Sequence, residues 1–435
     1  MSVETPTQIP VIPDEVARAA VLAESYRTGT EFWEAYRWLR QNMPVGEARL
    51  EGYDPLVLIS KHADIIAVER DGALFHACLD EHDNPILQDR ANDAFQRSLN
   101  DGSIRVIDDV TYMGPEEHSR VRGAAHQWFL PPAIRVYEEE IRAIAKDAVD
   151  RLMESGGEVD FVKDFAKFFP LRVIMTMLGV PPEDEPRTLK LTQEFFGTHD
   201  PDEQREEVKL DPAAAAKMWH AATEDFNAYF QRLAEDKRAH PEENLGSYIA
   251  NAQLDGKPLD VTKQNGWYLA IAAAGHDTTS STLAGGMQAL IEYPEQRAKA
   301  TADPTLIGGL VDESLRWTSP VRHFMRTTTA DTELRGVPLR AGDRTMLLYA
   351  SANRDEDVFK NPDEFDITRK PNRHLAFGFG PHVCIGQFIT KLELRILWAE
   401  LLPRLRSVEL AGEPKHVQTN FVGGLKSLPI RFEKA

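Results

Sequence analysis

The sequence predicts a mainly α-helical protein, a large helical body threaded by one long central helix with small β-sheets beside it. Three observations carry that expectation. Apolar residues recur at three- and four-residue spacing, with charges between them, over residues 30–40, 134–153 and 213–238, the pattern of helices with one buried face. Strand-like alternation is confined to short pieces at 56–60, at 334–348 around an Ala341-Gly342-Asp343 turn, and at 408–432. Residues 266–293, GWYLAIAAAGHDTTSSTLAGGMQALIEY, form the longest weakly charged stretch of the chain.

The elements follow in chain order. Residues 1–13 hold three prolines and no apolar run with a basic flank, so neither a secretory signal nor a membrane anchor is read there and a cytoplasmic location is expected. The helix at 30–40 leads to the strand at 56–60, and the 134–153 helix lies beyond. The acidic, proline-containing stretch 198–212 between helical segments reads as a solvated loop or lid connection. The 266–293 stretch superficially resembles a membrane span, but a span needs about 20 unbroken apolar residues. This one has His276, Asp277 and a Thr/Ser cluster at its centre, so a helix buried through a large protein is expected. Running from 262 to 293, it would be roughly 48 Å long at 1.5 Å per residue. Its small residues Ala272, Ala273, Ala274 and Gly275 would let a flat partner approach the backbone. No repeat and no Gly/Ser linker divides the chain, so 1–435 is expected as a single domain, although length alone allows two or three.

Composition excludes several function classes. With 69 acidic against 50 basic residues the formal charge is −19, which argues against nucleic acid, since phosphate backbones are held by clustered cations. The two cysteines, Cys78 and Cys384, are too far apart in sequence for a CxxC zinc or redox site and too few for a disulfide framework.

One cysteine has unusual surroundings. The run FGFGPHVCIG at 377–386 brackets Cys384 with glycines immediately before a helical stretch at 387–402. Unpaired N–H groups and the positive end of the helix dipole gather at such a start, so the sulfur is expected as a thiolate with N–H donors aimed at it. A thiolate so placed is a metal ligand or a nucleophile, and the plainer alternative is a buried structural cysteine beside a turn. The glycine spacing is out of register for a dinucleotide fingerprint.

The run matches in full the haem-binding pattern FGxGxHxCxG, and through it the chain resembles the cytochrome P450 family. The resemblance implies the cytochrome P450 fold and a b-type haem with Cys384 as its axial thiolate and metal ligand, a ligand that favours O–O cleavage. Two further signatures lie in family order. AGHDTT at 274–279 resembles the central-helix oxygen-activation motif. Reductive splitting of dioxygen needs two protons, and by resemblance Thr278 and Asp277 are the catalytic alcohol and acid that deliver them. A threonine hydroxyl can also bond back to the i−4 carbonyl and open a groove in the helix. ESLR at 313–316 resembles the ExxR pair, and Arg369 in NPDEFDITR occupies the place of its partner, so Glu313, Arg316 and Arg369 are expected as a structural triad. Haem propionates require cations or donors, and His118, Arg122, Arg326 and His374 match the family's positions, with His382 a weaker fifth.

The resemblance tightens toward a soluble bacterial branch that oxidises alpha-terpineol, other monoterpenes and cymene, through EGYDP, LKLTQEFFG, SANRDEDVF, NPDEFDITR and TNFVGG. Residues 73–105, which in the family cover the substrate, match least. By resemblance the pocket is lined by Ala270, Ala273, Ala274, Phe324 and Phe421 beside Thr278. That set is small or aromatic and uncharged, and it implies a compact apolar substrate with at most one hydroxyl, hydroxylated with dioxygen. A haem-binding sensor or carrier without turnover is the alternative, which the Asp277-Thr278 pair disfavours, and a peroxygenase is a third. The chain holds no flavin, nicotinamide or iron–sulfur motif, so electrons from NADH are expected through partners. By resemblance these are a [2Fe-2S] ferredoxin and its NADH-dependent reductase, docked near Lys391, Arg395, Arg120 and Arg135 over Cys384.

Overall fold

The computed structural model describes residues 8–80, 83–105, 108–196 and 212–435. The stretch read as a loop or lid therefore lies outside the described residues except for Pro212. The central helix is present as Val261–Glu292, 32 residues long, and Asp260 caps its start by accepting the Lys263 N–H at 2.9 Å. No helix among the described residues is long and apolar enough to cross a membrane.

Small residues decide what packs against this helix. A Cβ at Gly275 would meet Ile174 at 2.7 Å, and one at Gly286 would meet Ser314 at 2.6 Å. The helix Phe168–Leu178 can therefore seat on one flank and the helix Ile307–Thr318 on another. The expected helices at 30–40 and 213–238 are found as Glu31–Asn42 and Pro212–Ala239. The 134–153 prediction becomes a short helical turn, a tighter turn and then Glu138–Glu154.

The main sheet has five strands in the order Val45–Ala48, Leu56–Ile59, Arg344–Leu348, His323–Thr328, Phe75–His76, and its one parallel pairing joins the second and third. His323–Thr328 escapes sequence reading because His323 and Arg326 interrupt its apolar pattern, yet both are buried. The 408–432 signals resolve into several strands, two of which, Leu405–Leu410 and Pro429–Lys434, pair with each other, and Pro429–Lys434 pairs on its other side with Glu158–Asp160 in a second sheet.

The cysteine loop lies between sheet and helix. Gly378 and Gly380 take φ of +66° and +69°, and a Cβ at Gly380 would stand 2.2 Å from the Glu69 carbonyl. Glycine is needed there for both turn and approach. The Cys384 N–H donates to the Phe377 carbonyl at 2.8 Å, which closes the loop just before the helix Gln387–Leu401. Leu394, Leu397, Trp398 and Leu401 of that helix are fully buried and fix its position.

Candidate active site

An internal cavity separates the central helix from the cysteine loop, with Ala270, Ala274, Gly275 and Thr278 on one wall and Phe377, Cys384 and Ile385 on the other. Cys384 is deep in the protein, and its sulfur surface opens onto this cavity. Burial pushes the thiol pKa up, while the Gly386 N–H, the Arg122 guanidinium and the Gln387 N–H pull it down. The donors expected from the helix start are in place, but burial outweighs them. A coordinating metal ion deprotonates a thiol against such burial, so the expected thiolate belongs to the metal-bound state.

One edge of the cavity is cationic. His118, Arg122, Arg326 and His382 all reach it, and the His118 and His382 rings stack at 3.9 Å. Burial, then the neighbouring Arg122 and Arg326, lowers the His118 pKa to about 4, and burial foremost pushes His382 well below its usual range. Both are neutral at pH 7. The Arg122 guanidinium reaches across to the Val383 carbonyl. His118 Nε2 is buried without a hydrogen-bond partner, an uncommon state that calls for an explanation.

His374 is elsewhere. Its Nε2 lies 3.7 Å from Asp312 Oδ1 and its Nδ1 accepts the Ala376 N–H at 3.3 Å, so both ring nitrogens are engaged and it does not line the cavity. The expected propionate contact at His374 does not fit its position, whereas His382, the weaker candidate, reaches the cavity edge. Two expected wall residues also fall outside the lining. Ala273 is a buried core residue turned well away from the Ala270–Ala274–Thr278 stripe by helical phase. Phe421 backs the wall, edge-on to Phe324 at 5.4 Å.

The central helix is modified where it passes the cysteine. Thr278 Oγ1 donates to the Ala274 carbonyl at 2.7 Å, and Thr282 Oγ1 donates to the Thr278 carbonyl at 2.9 Å. Successive back-bonds of this kind bend a helix. Asp277 stands off the wall with its side chain about one-fifth exposed, and its Oδ1 lies 3.4 Å from Nδ1 of buried His276. The His276 ring is held from the other side, because Nε2–H donates to the Lys167 carbonyl at 2.8 Å.

Glu313, Arg316 and Arg369 are brought together. Arg316 grips Glu313 with two bonds of 2.8 and 2.9 Å, Arg369 Nε sits 3.2 Å from both Glu313 oxygens, and Arg316 also donates to the carbonyls of Asn353, Pro362 and Glu364. Every donor of Arg316 is thereby used. Sequence reading missed Glu69 and Glu393, two buried carboxyls on the cavity lining. For Glu69 the signal is its place one helical turn beyond buried Ile65, next to buried Val68 in HADIIAVER. A charge stands there at a core-facing phase.

A cavity with a thiol on one wall, a small-residue helix opposite, an edge of two guanidiniums and two neutral imidazoles, and an orphaned buried nitrogen fits a flat dianionic macrocycle. The comparisons decide the family. The family profile described as Cytochrome P450 matches residues 87–432. The chain belongs to the cytochrome P450 family. It is similar to Cytochrome P450-terp of Pseudomonas sp, at 49% identity over 98% of this chain and 99% of that one. It is also similar to a steroid C26-monooxygenase of Mycobacterium tuberculosis, at 34% identity over 92% of this chain and 93% of the relative. Among solved structures, a cytochrome P450 of Novosphingobium aromaticivorans superposes with a TM-score of 0.90 at 38% identity, covering 98% of this chain and 100% of that one. A Mycobacterium marinum cytochrome P450 in complex with pseudoionone superposes with a TM-score of 0.85 at 29% identity, covering 98% and 100%.

This cytochrome P450 is a monooxygenase, and the family implies a haem thiolate and dioxygen. When bound, the haem supplies dioxygen activation and oxygen insertion. Cys384 would ligate its iron, and His118, Arg122, Arg326 and His382, which line the same cavity, would hold its propionates.

Proposed function

We propose that this monooxygenase hydroxylates a compact apolar molecule, of monoterpene or alkyl-aromatic type such as alpha-terpineol, p-cymene or limonene. The observation that carries the reading is the wall facing Cys384. Val110, Ile174, Ala270, Ala274, Val321 and Phe324 carry no ionisable side chain, and the guanidiniums Arg122 and Arg326 gather at the edge that would take the propionates, so a carboxylate or phosphate seated among those six would lose its hydration without a partner. The likeness to Cytochrome P450-terp supports the same class. Titrating the ferric enzyme with monoterpenes, para-alkyl aromatics, fatty acids and steroids, and following the spin-state absorbance change, is the test. Saturation by small terpenes or cymenes is the expected result. Silence across that class with saturation by steroids or fatty acids overturns it.

Within this reading Thr278 Oγ1 holds and passes a proton at the cavity wall, and Asp277, partly exposed one residue earlier, connects it to solvent. Electrons come from NADH through a ferredoxin reductase and a [2Fe-2S] ferredoxin. Arg135 and Arg395 are exposed, Arg395 with its Nε on the Lys391 carbonyl at 2.8 Å, and can meet an acidic carrier, whereas Lys391 is paired with Asp312 at 2.9 Å and Arg120 with Asp255. Reconstituted NADH-linked turnover that depends on the ferredoxin, and falls about tenfold or more in Thr278→Ala while hydrogen peroxide is released, is expected. Turnover on added peroxide alone, unaffected by Thr278→Ala, identifies a peroxygenase. Haem binding with no product under either condition identifies a sensor or carrier.

A further inference from the structure

Glu69 is the penultimate residue of the helix His62–Arg70 and is buried at 4% exposure against the cationic edge of the cavity. Its Oε1 accepts the Tyr349 hydroxyl at 2.7 Å and Arg326 Nη2 at 3.3 Å, while Oε2 is buried without a hydrogen-bond partner. The groups facing it come from three elements. Arg326 is on the strand His323–Thr328, Tyr349 follows the strand Arg344–Leu348, and the Phe379 N–H lies in the cysteine loop. Arg326 is the one charged side chain among them, and its Nη1 is already spent on the Met325 carbonyl at 2.7 Å.

Arg326 therefore has two claimants. Haem would carry two propionates to the edge where Arg122, Arg326, His118 and His382 gather, and without haem burial foremost lowers the pKa of both histidines. An ionised Glu69, itself buried, would then place a third carboxylate beside two guanidiniums. Like charges sharing one site cannot all stay ionised, and the most buried of them takes the proton.

We propose that Glu69 is a cofactor-contacting acid that carries a proton when haem is bound, sharing Arg326 with a haem propionate, so that haem binding takes up one proton at this carboxyl.

The electrostatics agree with the geometry. Burial raises the Glu69 pKa to about 7 against the lowering effects of Arg326, the Tyr349 hydroxyl and the Phe379 N–H, and a propionate adds a further raising charge. The sign of the linkage follows. Protonated Glu69 favours haem, so affinity is full below the haem-free pKa. It falls by up to about tenfold per pH unit above that value, until the haem-bound pKa is passed. Cys384 runs the opposite way, since a ligating thiol must lose its proton, and comparison with a variant at position 69 removes its contribution.

The test is haem loss from the holoenzyme to an excess of a haem-scavenging apoprotein, measured from about pH 6 to about pH 9 in the wild type and in Glu69→Gln. Glutamine mimics the protonated acid and keeps an oxygen for Tyr349 and Arg326. The expected result is that the wild type loses haem faster than Glu69→Gln by a ratio that grows at least severalfold across that range. A ratio independent of pH overturns the proposal. Infrared spectroscopy of the wild-type holoenzyme is the second readout. A protonated-carboxyl stretch that shifts in Tyr349→Phe is expected, because that variant removes the Glu69 donor. Burial also raises the Glu393 pKa, but its band lacks this donor and stays. If no protonated-carboxyl band responds to Tyr349→Phe at neutral pH, Glu69 is ionised and the proposal fails.

Discussion

Cys384→Ser folds and loses the thiolate character of its haem, and turnover falls by more than the roughly 100-fold that loss of an outer-shell partner alone can cost. The fold survives because the loop does not depend on the sulfur. Its turn is set by Gly378 and Gly380 at positive φ, by the Cys384 N–H on the Phe377 carbonyl and by the buried face of Gln387–Leu401, all of which serine keeps. What it loses is the soft anion. The Gly386 and Gln387 N–H groups and Arg122 are aimed at this atom, and a serine hydroxyl stays protonated where a thiol ionises on meeting iron. Haem content, circular dichroism and product formation check this together. A variant that keeps its turnover would remove Cys384 from the site.

Arg316→Ala is the second large effect, and it is an effect on stability. Arg316 and Glu313 are both fully buried; removing one partner of such a pair costs about 3–5 kcal/mol when the other is left uncompensated, and here Arg369 and Asn372 keep part of that compensation for Glu313. The cost is set against the roughly 5–15 kcal/mol that holds a domain folded. Arg369 still touches Glu313 and still donates to the Glu364 carbonyl at 2.9 Å, but the carbonyls of Asn353 and Pro362 lose their Arg316 donor. The damage reaches the cysteine loop, because Asn353 Oδ1 accepts the Leu375 N–H at 2.6 Å. A sharply lower thermal midpoint with poor haem retention is expected. An unchanged midpoint would show that the triad holds nothing together.

The fold class and the cysteine loop were legible because each has a local signature. The central helix announces itself by length and weak charge, and the glycines around Cys384 report a turn that no other residue tolerates at Gly380. Thr278 and its bond to Ala274 were equally readable, since an i−4 back-bond needs nothing beyond its own helix. The cationic edge was not readable to the same degree. His374 and His382 flank the same loop, and what separates them is Asp312 on a distant helix, which engages His374. Ala273 and Ala274 are adjacent, and a single residue's rotation puts one in the core and the other on the cavity. Glu69 meets Arg326 across more than 250 positions of chain, and sequence periodicity shows a misplaced charge there without showing its partner.

The central claim is that Cys384 gives this protein a haem-thiolate centre, and the absorbance spectrum of the reduced, carbon monoxide-bound holoenzyme tests it most directly. The account predicts the strongly red-shifted Soret band of thiolate ligation in the wild type and its loss in Cys384→Ser. A wild-type band at the position typical of histidine ligation, or one unchanged by the substitution, would contradict it.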